Sequence, residues 1–204
     1  LSDKDKILFE CQETLKKERA VATGIGMFAV VINKAGNPLL RKRLETDSLF
    51  QEDLSGKWEL IGGGVEIPHF MAKTGPRDQR AIFNCLKQEL MEEAGLKLVS
   101  LPRPLMVVHD WIYSSYQDKK VINQERIVID LAFATPIVLR EKYLEKTKEF
   151  GEKFKKGELR FVPRSELSKV DMVDQRSRTL VEETLEAFYL NRAFVLLDNP
   201  LRKD

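Results

Sequence analysis

The sequence predicts an α/β or α+β domain in which helices cover a mixed sheet, and three observations carry that prediction. Apolar runs rich in β-branched residues and without helical period, such as VATGIGMFAVVIN (21–33) and RIVIDLAFATPIV (126–138), read as largely buried strands. Between them, Gln79 to Ala94 has the apolar spacing of a strong helix, ended by Gly95 at a C-cap position. Strands and helices alternate irregularly, with a hairpin signal among the strands, which disfavours an all-parallel sheet. The chain has 204 residues and an apolar share of 43%, enough core for one domain. That domain is expected over 21–204, preceded by a helical extension over 1–20.

The elements follow in order. Ser2 to Arg19 reads as an amphipathic helix, with Ile7, Leu8, Cys11 and Leu15 at helical spacing and Ser2 or Asp3 as cap. The strand at 21–33 runs into the turn Ala35-Gly36-Asn37-Pro38, and Leu39 to Arg43 returns as the second strand of a hairpin. A polar stretch to Gly56 leads to a short strand at Trp58–Ile61 and then to Gly62-Gly63-Gly64. An irregular segment (IPHFMAKTGPRD) precedes the helix that ends at Ala94. MVVHDWIYS (106–114) and 126–138 are two strands joined by a polar loop. A lysine- and glutamate-rich stretch (139–157) is followed by a strand at ELRFVP (158–163) and a helix over about Gln175–Leu190.

Charge and cysteine content exclude several function classes. There are 34 basic and 32 acidic residues, a net charge of +2, and no clustered excess of the kind that binds nucleic acid or anionic membrane in bulk. Cys11 and Cys85 cannot build a disulfide scaffold and lack metal-ligand spacing. No 18-residue apolar run occurs, and the N-terminal charge mixture reads as a solvated helix, not a signal peptide. Leu1 stands where an initiator methionine would, so upstream residues are expected. The expectation is a soluble, cytoplasmic protein with reduced thiols.

The chemistry is concentrated in two places. In the helix, Glu89, Glu92 and Glu93 fall at i, i+3 and i+4, within one arc of the surface. Like charges at this spacing repel, and the helix C-terminus disfavours anions. Such carboxylates are either left in water, as an ordinary solvated acidic face, or neutralised by cations. Hard divalent ions such as Mg²⁺ take carboxylate oxygens together with water and substrate phosphates. Ile82, Phe83, Leu86 and Leu90 form the apolar stripe, and Glu89 and Glu93 border it, where a cleft would lie. The glycine triplet upstream lets a backbone approach a ligand or ion closely, although alone it would signal only a flexible turn. Together the two features are far more specific than either.

Gly62-Gly63-Gly64-Val65-Glu66 with Gln88-Glu89-Leu90-Met91-Glu92-Glu93-Ala94-Gly95-Leu96 resembles the Nudix box, G-x5-E-x7-R-E-U-x-E-E-x-G-U, with U aliphatic. Residues 89–96 match at every specified position, and Gly63 matches the opening glycine. PLLRKR (38–43), GKWELIGGGVE (56–66) and GELRFVPRSEL (157–167) are similar to the family's flanking segments, so the resemblance covers about 21–190.

The resemblance implies a three-layer α/β/α sandwich and Mg²⁺- or Mn²⁺-dependent hydrolysis of a nucleoside diphosphate linked to another moiety. It implies that Glu89, Glu92 and Glu93 hold metal with the main-chain carbonyl of Gly62, and that Glu89 and Glu93 are catalytic. Glu89 is either a ligand or the base that positions the attacking water. A late-loop carboxylate, Glu149, Glu152 or Glu158, joins the site in some members. The expected partner is a small phosphorylated metabolite, nucleotide-derived, with no membrane; a homodimer could form through the N-terminal helix.

Two departures matter. Gln88 replaces the arginine that steadies the first helix glutamate, and Lys87 points about 100° away on the helix. The loop from Glu66 to the helix is about eleven residues longer than the motif. Counting back from Glu89 therefore places Arg80, and counting forward from Gly63 places His69, where the box has its first glutamate. Arg77 and Arg80, with His69, are candidates for contacting an anionic substrate; ordinary surface cations in an insertion are the plain alternative. Trp111, Tyr113 and Tyr116 could stack on a base or simply pack, Trp58 is expected to pack, and Cys85 to be structural. Two rival functions follow: a catalytically weak nucleotide sensor or interaction module, and an enzyme of isopentenyl diphosphate isomerase type. The latter needs a reactive cysteine and a poised glutamate, and no such pair is evident.

Overall fold

A computed structural model of the chain describes residues 22–44, 54–65, 80–100, 107–117, 125–192 and 194–196. At its centre is β1 (Ala22–Ile32), which pairs in parallel with β7 (Glu125–Val138) and antiparallel with β4 (Ile61–Gly64). β6 (Val107–Gln117) adds antiparallel to β7, and β10 (Phe194–Leu196) adds parallel to β6. The result is a mixed five-stranded sheet in the order β10-β6-β7-β1-β4.

β1 explains why helices lie on both faces. Successive residues of a strand point to opposite sides. Met27, Ala29 and Val31 enter a core with Phe83, Leu86 and Leu90 of α1 (Arg80–Ala94). Val30 and Ile32 enter a second core with Leu180, Val181 and Leu185 of α3 (Gln175–Tyr189). Both sets are buried, so β1 is apolar from Met27 to Ile32 instead of alternating. The expected α/β/α sandwich with a mixed sheet is what these two cores produce.

Two smaller sheets flank it. β2 (Leu39–Lys42) pairs antiparallel with β3 (Trp58–Glu59) and with β9 (Leu159–Phe161). β5 (Leu96–Leu98) pairs antiparallel with β8 (Leu144–Lys146), which leads into α2 (Lys148–Lys155). A 3₁₀ turn, Arg164–Lys169, precedes α3.

Several expectations need correction. The turn after β1 forms, with Gly36 at φ +82° and the Asn33 side chain accepting from the Ala35 and Asn37 amides. The hairpin does not: beyond a single bridge at Ile32 and Pro38, β2 leaves for another sheet. The reason is that β4 and β7 already occupy both edges of β1. The strand expected at Trp58–Ile61 is two strands in different sheets, divided at Leu60. The glycine triplet is not a turn but part of β4, in register with Gly26, Met27 and Phe28. The stretch 139–157 holds β8 and α2, capped by Thr147, and β5 and β10 went unanticipated. The extension over 1–20, with Cys11, lies outside the described residues. Among the described residues no helix is long and apolar enough to cross a membrane.

Candidate active site

The site is built where α1 crosses β4. Cys85, Leu86, Leu90 and Ala94 are fully buried and seat the helix on the sheet. Its last turn closes on Gly95, whose φ of +63° suits the C-terminal cap and whose N–H donates to the Met91 carbonyl at 3.0 Å. The absence of a side chain there also lets the start of α2 approach. A Cβ on Gly95 would stand 2.5 Å from the Phe150 amide nitrogen. From α2, Lys153 Nζ donates to the Glu92 carbonyl at 2.5 Å and lies 3.0 Å from the Glu149 carboxylate. A cation thus meets the negative end of α1, offsetting part of the cost of its acidic last turns.

β4 supplies bare backbone opposite the helix. At Gly62, φ is +153°, and a Cβ would stand 2.2 Å from the Met27 carbonyl oxygen. At Gly63 a Cβ would meet Glu89 Oε1 at 2.4 Å, so the Glu89 carboxylate occupies the space that a side chain would fill. At Gly64, among the described residues, nothing lies within 4 Å of that position. Glu93 Oε2 accepts the Gly62 N–H at 2.9 Å.

A chain of charges reaches this point from the second sheet. Arg41 Nη2 lies 2.7 Å from Glu93 Oε1 and 2.7 Å from Glu59 Oε1. Arg43 Nη1 donates to Glu59 Oε2 at 3.2 Å. Glu59 is only 8% exposed. Despite the short Arg41 approach, Glu59 Oε1 and Arg41 Nε are buried without a hydrogen-bond partner, so that contact is one of charge and not of an aligned N–H. Burial pushes the Glu93 carboxyl up from its usual 4.5 to about 7. Arg41 and the Gly62 N–H oppose the rise, while the charges of Glu89 and Glu59 add to it.

The structure therefore brings Glu89 and Glu93 together against Gly62 and Gly63 and leaves Glu92 exposed. The Gly62 contact is made by its amide, whereas the family resemblance implied a role for its carbonyl. Among the described residues no three His, Cys, Asp or Glu side chains gather as a ready metal cluster. Gln88 is exposed. Glu149, Glu152 and Glu158 each face a lysine of their own neighbourhood, Lys153, Lys148 and Lys156. His69 and Arg77 lie outside the described residues, and Arg80 is described only as the first backbone position of α1. Trp111, Tyr113 and Tyr116 are placed on β6 as backbone. Trp58 packs against the α3-side core, with the Arg160 guanidinium 5.5 Å from its ring. Cys85 is buried with its thiol 3.7 Å from the Gly63 and Gly64 carbonyls, a structural place.

Arg41 and Glu59 were missed from sequence. No local pattern singles them out: Arg41 lies in the basic run Arg41-Lys42-Arg43, and only the pairing of β2 with β3 sets it opposite Glu59.

The donors fit a hard divalent cation in chemistry. Glu89 and Glu93 offer carboxylate oxygens, and burial, which raises the Glu93 carboxyl, leaves an ionised Glu93 in need of a countercharge beyond Arg41. Two carboxylates from protein, completed by water and substrate phosphates, is a common share for Mg²⁺.

No family model matches the chain, and no curated protein matches it. Among solved structures, the chain is similar to a MutT protein from Methanosarcina mazei, with 18% identity, 82% of this chain and 96% of that one covered, and a TM-score of 0.46. It is similar to the NUDIX domain of Shewanella oneidensis NrtR, crystallised with ADP ribose, at 12% identity, 87% and 97% coverage and a TM-score of 0.46. A third is the dihydroneopterin triphosphate pyrophosphohydrolase of E. coli, at 12% identity, 82% and 95% coverage and a TM-score of 0.40. Likeness at this level carries no argument about chemistry, which rests on the residues of this chain.

Proposed function

We propose that the chain is a Nudix-family hydrolase that cleaves the phosphoric anhydride bond of a nucleoside diphosphate linked to another moiety. The observation that carries this reading is the seating of Glu89 and Glu93 of α1 on the bare backbone of Gly62 and Gly63. It is the arrangement that residues 62–66 and 88–96 should produce if they are a working Nudix box.

In this reading Glu89 and Glu93 hold Mg²⁺ or Mn²⁺, with Glu92 at the rim and the Gly62 carbonyl as a further ligand. The ion, when bound, offsets charge on the pyrophosphate oxygens and lowers the pKa of the attacking water. Glu89 either ligates or takes the proton of that water. Among the described residues nothing crowds Gly64, where phosphate oxygens would approach the backbone. Arg77 and Arg80 are candidates to contact the anionic substrate from the long loop. A cytoplasmic location and a nucleotide-derived substrate belong to the same proposal, as does a possible homodimer.

One observation favours the second reading, a nucleotide sensor. Glu93 is already engaged by Arg41 and the Gly62 amide, and Glu92 stands apart. The isomerase reading loses ground because Cys85, the one cysteine among the described residues, is buried under the glycine strand.

Hydrolysis of a panel of nucleoside diphosphate derivatives with Mg²⁺ or Mn²⁺, in wild type and Glu93→Gln, separates the readings. Metal-dependent cleavage lost in the variant is the expected result. Nucleotide bound but not consumed would replace the hydrolase with the sensor.

A further inference from the structure

We infer that Arg41, from β2, is the positioning residue for Glu93, the second of the two carboxylates seated on the glycine strand. The inference rests on the hydrolase reading for its kinetic consequences but on the geometry for its substance. Arg41 Nη2 reaches Glu93 Oε1 at 2.7 Å, on the carboxylate oxygen opposite the one that accepts the Gly62 N–H. A hydrogen bond to one oxygen and a cation against the other fix both the position and the rotation of a carboxylate, which the amide alone cannot do.

Arg41 is itself held. Its other acidic neighbour, Glu59 at 2.7 Å, is buried and receives Arg43 at 3.2 Å, so the guanidinium sits between two carboxylates and cannot leave one without meeting the other. The backbone adds rigidity, because Arg41 is opposite Glu59 on β3 and opposite Leu159 on β9. A cation on a strand paired on both sides is placed more firmly than one on an exposed helical turn, where Gln88 lies. A substrate-binding arginine would be expected to keep its fork free for phosphate. Arg41 instead sets one guanidinium nitrogen against two carboxylates, the arrangement of a residue that acts through Glu93.

The test compares Arg41→Met, Arg41→Lys and Gln88→Arg in the full chain. In metal-free protein the Gly62 amide proton reports the Glu93 bond directly by NMR. The expected result is a shift of that resonance in Arg41→Met, recovery towards wild type in Arg41→Lys, and no change in Gln88→Arg. A merely structural Arg41 would lower stability and leave the Gly62 resonance in place, which would overturn the inference. In turnover, loss of a group that orients a metal-ligating carboxylate should lower kcat about 10- to 100-fold with KM little changed. A raised KM with kcat intact would instead make Arg41 a substrate contact. If wild type turns over no substrate while the Gly62 resonance behaves as expected, the hydrolase reading fails and the positioning role stands. Should Arg41→Met not fold, Glu59→Gln supplies the same resonance test one step removed.

Discussion

The Gly62 amide and the Glu93 carboxylate are joined at 2.9 Å across a sequence separation of 31 residues. This bond ties the strand half of the motif to its helix half, and it depends on close approach. β4 offers no Cβ at 62, 63 or 64, so the side of α1 bearing Glu89 and Glu93 meets backbone where most strands would present side chains. The charged row thereby acquires a partly buried setting, with polarity returned to it by one amide and one arginine. The same setting raises the Glu93 carboxyl, because burial strips its water and neither the Gly62 amide nor the Arg41 charge fully replaces it.

The two inner glycines should respond differently to alanine. At Gly62 the added Cβ meets the Met27 carbonyl and the Phe28 Cα, at 2.2 and 2.7 Å, which are backbone of the central strand and cannot step aside. Gly62→Ala should cost about 3 kcal/mol in denaturant unfolding, from the clash and the positive φ together. At Gly63 the obstacle is the end of the Glu89 side chain, 2.4 Å away. Gly63→Ala should therefore fold with little loss, displace Glu89, and weaken Mn²⁺ binding measured by calorimetry. Equal destabilisation at both positions would contradict this account.

Gly95 makes a third case, set by α2 and not by the sheet. Its φ is +63° and a Cβ would press on the Phe150 amide at 2.5 Å. Thr147 secures the same junction: its hydroxyl donates to the Gly95 carbonyl at 2.7 Å and accepts from the Phe150 amide at 3.5 Å. Gly95→Ala should cost about 2–4 kcal/mol and Thr147→Ala about 1 kcal/mol by chemical denaturation. The pair shares one junction, so the double variant should fall short of the sum.

How much of this was legible beforehand follows from which interactions are local. α1, its end at Gly95 and the long strands 22–32 and 125–138 carried strong periodicity or composition over many residues, and they formed close to the expected limits. The grouping of Glu89 with Glu93 was also readable, since one helical turn dictates it. The destination of β2 was not: Asn33 to Pro38 looks like a hairpin turn, and only the occupation of both β1 edges by β4 and β7 forbids the pairing. Arg41 escaped for the same reason. Its relation to Glu59 and Glu93 exists only once β2, β3 and α1 have been brought together by tertiary contacts. The short helix α2 was obscured by its high charge, although Thr147 and the ion pair of Glu149 with Lys153 mark it.

The raised Glu93 carboxyl makes stability depend on pH in a definite direction. In the unfolded chain this group titrates near 4.5 and in the folded chain near 7. Below the lower value both states carry the proton and the full stability is present. Between the two values the folded state binds more proton, so stability falls as pH rises and levels off above the folded value. The total is up to about 3 kcal/mol, set by the gap between the two values. In EDTA, wild-type melting temperature should therefore decline across this window, and the Glu93→Gln difference should grow in the variant's favour towards pH 8, since the amide oxygen can still accept the Gly62 N–H without carrying charge. Saturating Mg²⁺ should stabilise the wild type most at the alkaline end, where the carboxylate is ionised and costly, and should do little for Glu93→Gln. A wild-type profile parallel to that of Glu93→Gln, with and without Mg²⁺, would show that Glu93 ionises freely and that neither its burial nor its place in a cation site is as described.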